Sequence, residues 1–127
     1  MDEPKSPLEA YKAIIDQLVQ DTRRSLSSRL IMERGVCSMA PSRDAHNQFV
    51  ASLSPQQRAL LADMLQEERD SAIHDLLAVL TWWIIVQDVG LTFRGEKMPV
   101  DLSGMGLHGD FIGRLDGWAW PTETTPE

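Results

Sequence analysis

One cysteine, Cys37, is the whole thiol content of the 127-residue chain. A single thiol cannot close an internal disulfide, so the fold has to rest on its apolar core. Long apolar runs are missing too. The longest, LLAVLTWWIIV, extends only from Leu76 to Val86, well short of the roughly 20 residues that cross a bilayer. It reads as a core helix, and no membrane partner is expected. Positive charge is scarce: twelve Lys plus Arg face nineteen Asp plus Glu, a net charge of −7. That balance repels the phosphate backbone on which nucleic-acid affinity depends, so no nucleic-acid partner is expected either. The opening MDEPKSPLEAYK has neither the basic nor the apolar region of a secretory signal, which makes the cytoplasm the expected compartment.

Catalytic signatures are equally thin. The chain contains no G-x-S-x-G, no His-Glu-x-x-His, no Glu-x-x-His and no paired Cys-x-x-Cys. A nucleophile elbow and the common helical or thiolate metal sites therefore have no local signature here. No cofactor is expected.

Hydrophobic residues make up 43% of the chain and charged residues 24%, the composition of a globular protein with one packed core. The expectation is a single helical domain over residues 1–121 and a flexible tail over residues 122–127, within the polar ending PTETTPE. Ser6-Pro7-Leu8-Glu9 supplies a cap, a proline for the first helical position and an acid for a capping box. From there Leu8, Tyr11, Ile14, Ile15, Leu18, Val19 and Leu26 recur at three- and four-residue spacing. This predicts a first helix reaching Arg29–Arg34 and stopping at Gly35, with Lys12, Asp16, Gln20 and Arg23 on its outer side. Ser42 is placed to cap a short helix through Phe49, Val50 and Leu53. Ser54-Pro55-Gln56-Gln57 repeats the first start signal, and no proline or glycine follows until Gly90. A long helical region therefore spans Pro55 to about Asp88, as one helix or two. The fold class is mainly α: a small helical bundle with a long central helix, a short β-hairpin around Arg94-Gly95-Glu96, and an irregular C-terminal segment with a short helix near Leu107–Leu115.

GMGLHGD, residues 104–110, spells G-x-G-x-x-G at Gly104, Gly106 and Gly109. A dinucleotide fingerprint opens the first crossover of a parallel sheet and needs later strands to complete it. Nothing upstream reads as such a sheet, and too little chain follows. The glycines instead predict a tight turn with positive φ, packed against the helices.

The most informative polar pattern lies on the long helix. At about 100° of rotation per residue, Asp63, Glu67, Asp70, His74, Thr81 and Asp88 share a strip about 60° wide. Carboxylates and an imidazole at this spacing suit a helical metal site or an acid–base pair, with Asp70 orienting His74. Glu67, Asp70 and His74 are the metal candidates. One helix rarely surrounds an ion, so His108 and Asp110 are candidates to close the site. The alternative is a solvated face opposite a core formed by Leu61, Met64, Leu65, Ile73, Leu76, Leu77, Leu80, Trp83 and Ile84. His46 stands alone, as a surface histidine. A basic island, Arg23, Arg24, Arg29, Arg34 and Arg43, contains Glu33 as its sole acid over residues 22–43, and reads as a solvated surface or an acidic-partner contact.

All four tryptophans lie late in the chain, as Trp82-Trp83 and Trp118-Ala119-Trp120. The second pair suits core closure or another subunit; at least one of the first pair must pack outside the main stripe. GLHGDFIGRLDGWAWP, residues 106–121, preceded by EERDSAIHDLLAVL, resembles a family of small bacterial proteins with no assigned activity. The resemblance covers the C-terminal half and implies a bacterial, stand-alone domain without catalytic residues or a cofactor to carry over. Function is left between a non-enzymatic, self-associating interaction protein, a homodimer open to a protein partner, and a small metal-dependent or acid–base enzyme built on Glu67, Asp70, His74, His108 and Asp110.

Overall fold

The computed structural model describes residues 3–20 and 25–121. The chain is mainly helical, and its contacts divide into two compact units. One combines residues 1–23 with 73–127, and the other is Arg24–Ala72. The basic-island residues Arg23 and Arg24 and the tail 122–127 lie outside the described residues. No helix among the described residues is long and apolar enough to cross a membrane.

In the first unit, helix α1 (Pro7–Val19) starts where the cap signal placed it. Ser6 Oγ accepts the Glu9 N–H at 3.1 Å. The Glu9 carboxylate reaches back to the Lys5 N–H at 2.7 Å, one residue beyond the capping-box position. The helix does not run on to Arg29–Arg34. Gln20 turns extended at ψ 132, and a separate helix, α2 (Leu26–Arg34), begins at Ser25, whose hydroxyl accepts the Ser28 N–H. Serines compete with the helical backbone for hydrogen bonds and so favour caps over interiors, which is why the apolar spacing alone joined two helices into one.

The second unit holds α2, a 3-10 turn at Pro41–Arg43, α3 (Asp44–Ser52) and the beginning of α4 (Pro55–Val86). Gly35 ends α2 in the left-handed conformation, φ 67, as its position predicts. Ser42 is not a cap. Pro41 sets helical backbone one residue earlier, so Ser42 sits inside the 3-10 turn and α3 begins without a side-chain cap. Ser54 and Gln57 form the full reciprocal box, Ser54 Oγ with Gln57 N–H at 3.1 Å and Gln57 Oε1 with Ser54 N–H at 2.9 Å. Ile31, Val50 and Ala62 form the core here, with Cys37, Leu61 and Leu65 against it.

Helix α4 is continuous from Pro55 to Val86. Its stop is Asp88, at φ 56, rather than Gly90; a short acidic side chain tolerates the left-handed region. The first unit then continues through a hairpin, β1 (Thr92–Phe93) and β2 (Glu96–Lys97), in antiparallel register Thr92 to Lys97 and Phe93 to Glu96. Its loop is the pair Arg94-Gly95, both at positive φ, so Glu96 belongs to the strand. Two-residue hairpin loops favour this conformation because it matches the strand twist. Helix α5 (Gly106–Leu115) completes the unit. Tyr11, Ile15, Leu77, Met98, Leu107 and Phe111 form its core.

Several assignments of helix faces change. Ile14 and Leu26, expected in the core stripe, are exposed. Asp16, expected outside, is half-buried against α5 and the C-terminal segment. On α4, Met64, Leu76 and Trp83 are exposed while Thr81 is buried. From Leu76 to Val86 the helix carries no charge and Thr81 as its one polar side chain, so sequence periodicity has no charged face there from which to choose the buried side.

Candidate functional site

The densest polar arrangement of the first unit surrounds Asp110. Helix α5 carries this carboxylate into the core, where it is 0% exposed. Its Oδ2 accepts from Tyr11 Oη at 2.5 Å and from Leu102 N–H at 2.8 Å, and its Oδ1 accepts from Ser103 N–H at 2.7 Å. A buried carboxylate is tolerated only when its lone pairs are taken up in this way. Burial, reinforced by the hydrogen bond to Asp110, pushes the Tyr11 phenol far above its ordinary range, so the hydroxyl is held as a donor. The loop between β2 and α5 is tied down by the same network. Tyr11 Oη also accepts from Asp101 N–H at 3.3 Å, and Asp101 Oδ1 accepts from Gly106 N–H at 2.6 Å.

Gly104 and Gly106 have φ of 80 and 85, as the turn reading of GMGLHGD requires. At Gly106 an added Cβ would lie 2.5 Å from the His108 ring and 3.0 Å from Thr81 Cγ2. Gly109 is helical, and a Cβ there would meet Met105 Cβ at 2.6 Å. Positive φ thus accounts for Gly104, positive φ and packing for Gly106, and packing for Gly109, and the only sheet among the described residues is the two-stranded hairpin.

A second cluster joins α4 to α5 within this unit. Thr81 Oγ1 donates to Leu77 O at 2.8 Å and accepts from Leu107 N–H at 3.0 Å, capping the first turn of α5. His108 Nδ1 lies 3.4 Å from the same hydroxyl. The His74 and His108 rings meet edge to face, centroids 5.2 Å apart, and His74 Nδ1 lies 3.1 Å from Asp75 Oδ1.

The expected site residues are therefore distributed. His74 and His108 come together. Asp110 is committed to Tyr11 and the loop amides. Within the second unit, Glu67 and Asp63 are exposed, and Asp70 is held by Arg69 at 3.2 Å and Gln66 at 3.4 Å. Asp88 is exposed at the end of α4. Among the described residues no group of three or more His, Cys, Asp and Glu side chains is placed to hold a metal ion. Tyr11 was absent from the sequence candidates, although its place in the apolar stripe carried the signal: a buried phenol needs an acceptor.

A third arrangement closes the core. Arg114 Nε donates to Asp16 Oδ1 at 2.7 Å, Arg114 Nη1 donates to Trp118 O at 2.7 Å, and Trp120 Nε1 donates to Asp16 Oδ2 at 3.0 Å. The Trp118 and Trp120 rings meet at 5.5 Å, and Trp120 lies 6.0 Å from Tyr11. Trp120 packs against the core and Trp118 lies over Gly113, whereas Trp82 and Trp83 stay 49% and 47% exposed.

Residues 4–122 match the model of a family of unknown function, DUF6547, and the chain belongs to that family. The match spans nearly the whole chain rather than its C-terminal half. No curated protein and no solved structure matches it.

Proposed function

We propose that this protein is a non-catalytic helical protein that acts through self-association, pairing as a homodimer along the outer face of the last turns of α4. One observation carries the reading. Leu76, Val79, Trp82, Trp83 and Val86 are all exposed and fall within an arc of about 120° on the helix. A soluble chain rarely leaves so many large apolar groups contiguous and uncovered unless the patch meets a partner, and tryptophans dominate the energetics of such contacts.

A second copy is the occupant that the neutrality of the patch allows. A two-fold interface sets the same patch against itself, so only an uncharged patch avoids local like-charge repulsion in a chain of net charge −7. From Leu76 to Val86 no residue is charged. The proposal takes the cytoplasm as its setting, where an unpaired thiol such as Cys37 stays reduced. Light scattering coupled to size exclusion at micromolar concentration tests it. The wild type should have twice the monomer mass and Val79→Glu the monomer mass; a wild type that is monomeric at every concentration removes the proposal.

The His74–His108 contact favours a second reading, a small metal-dependent or acid–base enzyme. Two imidazoles from different helices are a better start than a single acidic strip. Metal analysis of freshly purified protein, compared with His108→Gln, tests that reading.

A further inference from the structure

Two adjoining clefts in the second unit, of about 550 and 350 Å³, share Ser27, Cys37 and His46 in their walls. Both volumes fall in the roughly 300–1,000 Å³ range of small-molecule sites. Leu26, Leu30 and Met39 line the larger, and Ile31, Phe49 and Leu65 line the smaller. Their walls are braced. Asn47 on α3 accepts from the Cys37 and Ser38 N–H groups at 2.9 and 3.3 Å and donates to Ser38 O at 2.8 Å, which pins the loop after α2. Arg58 on α4 donates to Val50 O and Ala51 O, each at 3.1 Å, which ties down the end of α3. A pocket held open in this way spares a ligand the cost of ordering it.

The lining of the clefts carries one arginine and no acid: Arg43 stands at the larger one, in a protein of net charge −7. Among the described residues no carboxylate forms an ion pair with the Arg43 guanidinium. An open apolar cleft with one arginine at its edge fits a ligand with an apolar tail and an anionic head. The planar guanidinium matches a carboxylate with two parallel hydrogen bonds.

We infer that the paired clefts between α2, the loop 36–40, α3 and the start of α4 form a binding site for a medium-chain carboxylate, its tail among the leucines and Phe49 and its head on Arg43. Cys37 lines both clefts and is the single thiol of the chain, so occupancy is readable in the intact chain as protection from alkylation. The probe is decanoate below its micellar concentration, with decylamine as the opposite-charge control. Decanoate should slow alkylation of Cys37 in proportion to occupancy, and decylamine should not. Arg43→Gln alters an exposed side chain and leaves the fold intact; it should raise the half-protecting decanoate concentration roughly tenfold, the weight of about one charge-assisted hydrogen bond. A rate indifferent to decanoate, equal protection by decylamine, or an unchanged half-point in Arg43→Gln overturns the inference. Protection that grows with protein concentration alone, and is lost in Met39→Glu, assigns the clefts to a second copy and overturns it as well.

Discussion

Tyr11 Oη donates to Asp110 Oδ2 at 2.5 Å, and the two residues stand 99 positions apart in the chain. The bond ties α1 to α5 and, through the two loop amides on the same carboxylate, to the segment that precedes α5. Removing either partner leaves buried polar groups unpaired. Tyr11→Phe should cost about 1–3 kcal/mol and Asp110→Ala more, because the alanine strands three donors at once. Urea denaturation compares them; a Tyr11→Phe protein as stable as wild type would show that the bond contributes nothing.

The same phenol sets a pH dependence. Its ordinary pKa is 10.0 and burial raises it in the folded chain. Above about pH 10 the unfolded chain releases this proton while the folded chain keeps it, so the stabilisation is fully present below the unfolded value and falls as pH rises beyond it. Tyr11 is the one tyrosine of the sequence. Phenolate absorbance should therefore appear only with unfolding, and Tyr11→Phe should flatten the alkaline loss of stability relative to wild type.

Leu76 and Leu77 are neighbours with opposite fates, 67% and 7% exposed. Leu77→Ala should lose about 2–5 kcal/mol, as buried leucine truncations do. Leu76→Ala should stay within about 0.5 kcal/mol in the monomer and weaken self-association instead. Denaturation and light scattering on the same two variants separate the effects, and equal stability losses would reverse the assignment of faces.

The glycines of GMGLHGD make unequal demands. At Gly104 an added Cβ meets nothing within 4 Å, so Gly104→Ala should cost only the left-handed backbone penalty of about 1–2 kcal/mol. Gly106→Ala adds a collision with the His108 ring and Thr81 and should cost more. Thermal unfolding that ranks them the other way would remove the packing account of this motif.

Local chemistry was the legible part of the fold. Ser6, Gly35 and the Ser54–Gln57 box act within one helical turn, and each does so where the sequence places it. The mainly helical class, the long helix and the hairpin followed from periodicity and turn residues. What was hidden depends on partners distant in the chain. Nothing near Asp110 announces burial, because its donors are a tyrosine in α1 and two backbone amides. Thr81 shares an angular strip with acids yet is buried under α5, since an uncharged stretch of helix does not declare its inner side. Of the candidate site residues, spacing along one helix could propose Glu67, Asp70 and His74; only the fold could bring His74 to His108.

The division of the chain into two contact units also divides its spectroscopic reporters. Trp82, Trp83, Trp118, Trp120 and Tyr11 all belong to the first unit, and Arg24–Ala72 contains none of these chromophores but holds Cys37. Indole emission therefore follows one unit and thiol accessibility follows the other, with no label introduced. Coincident denaturation profiles from the two signals would mark a single cooperative transition, whereas separated midpoints would mean that each unit melts on its own.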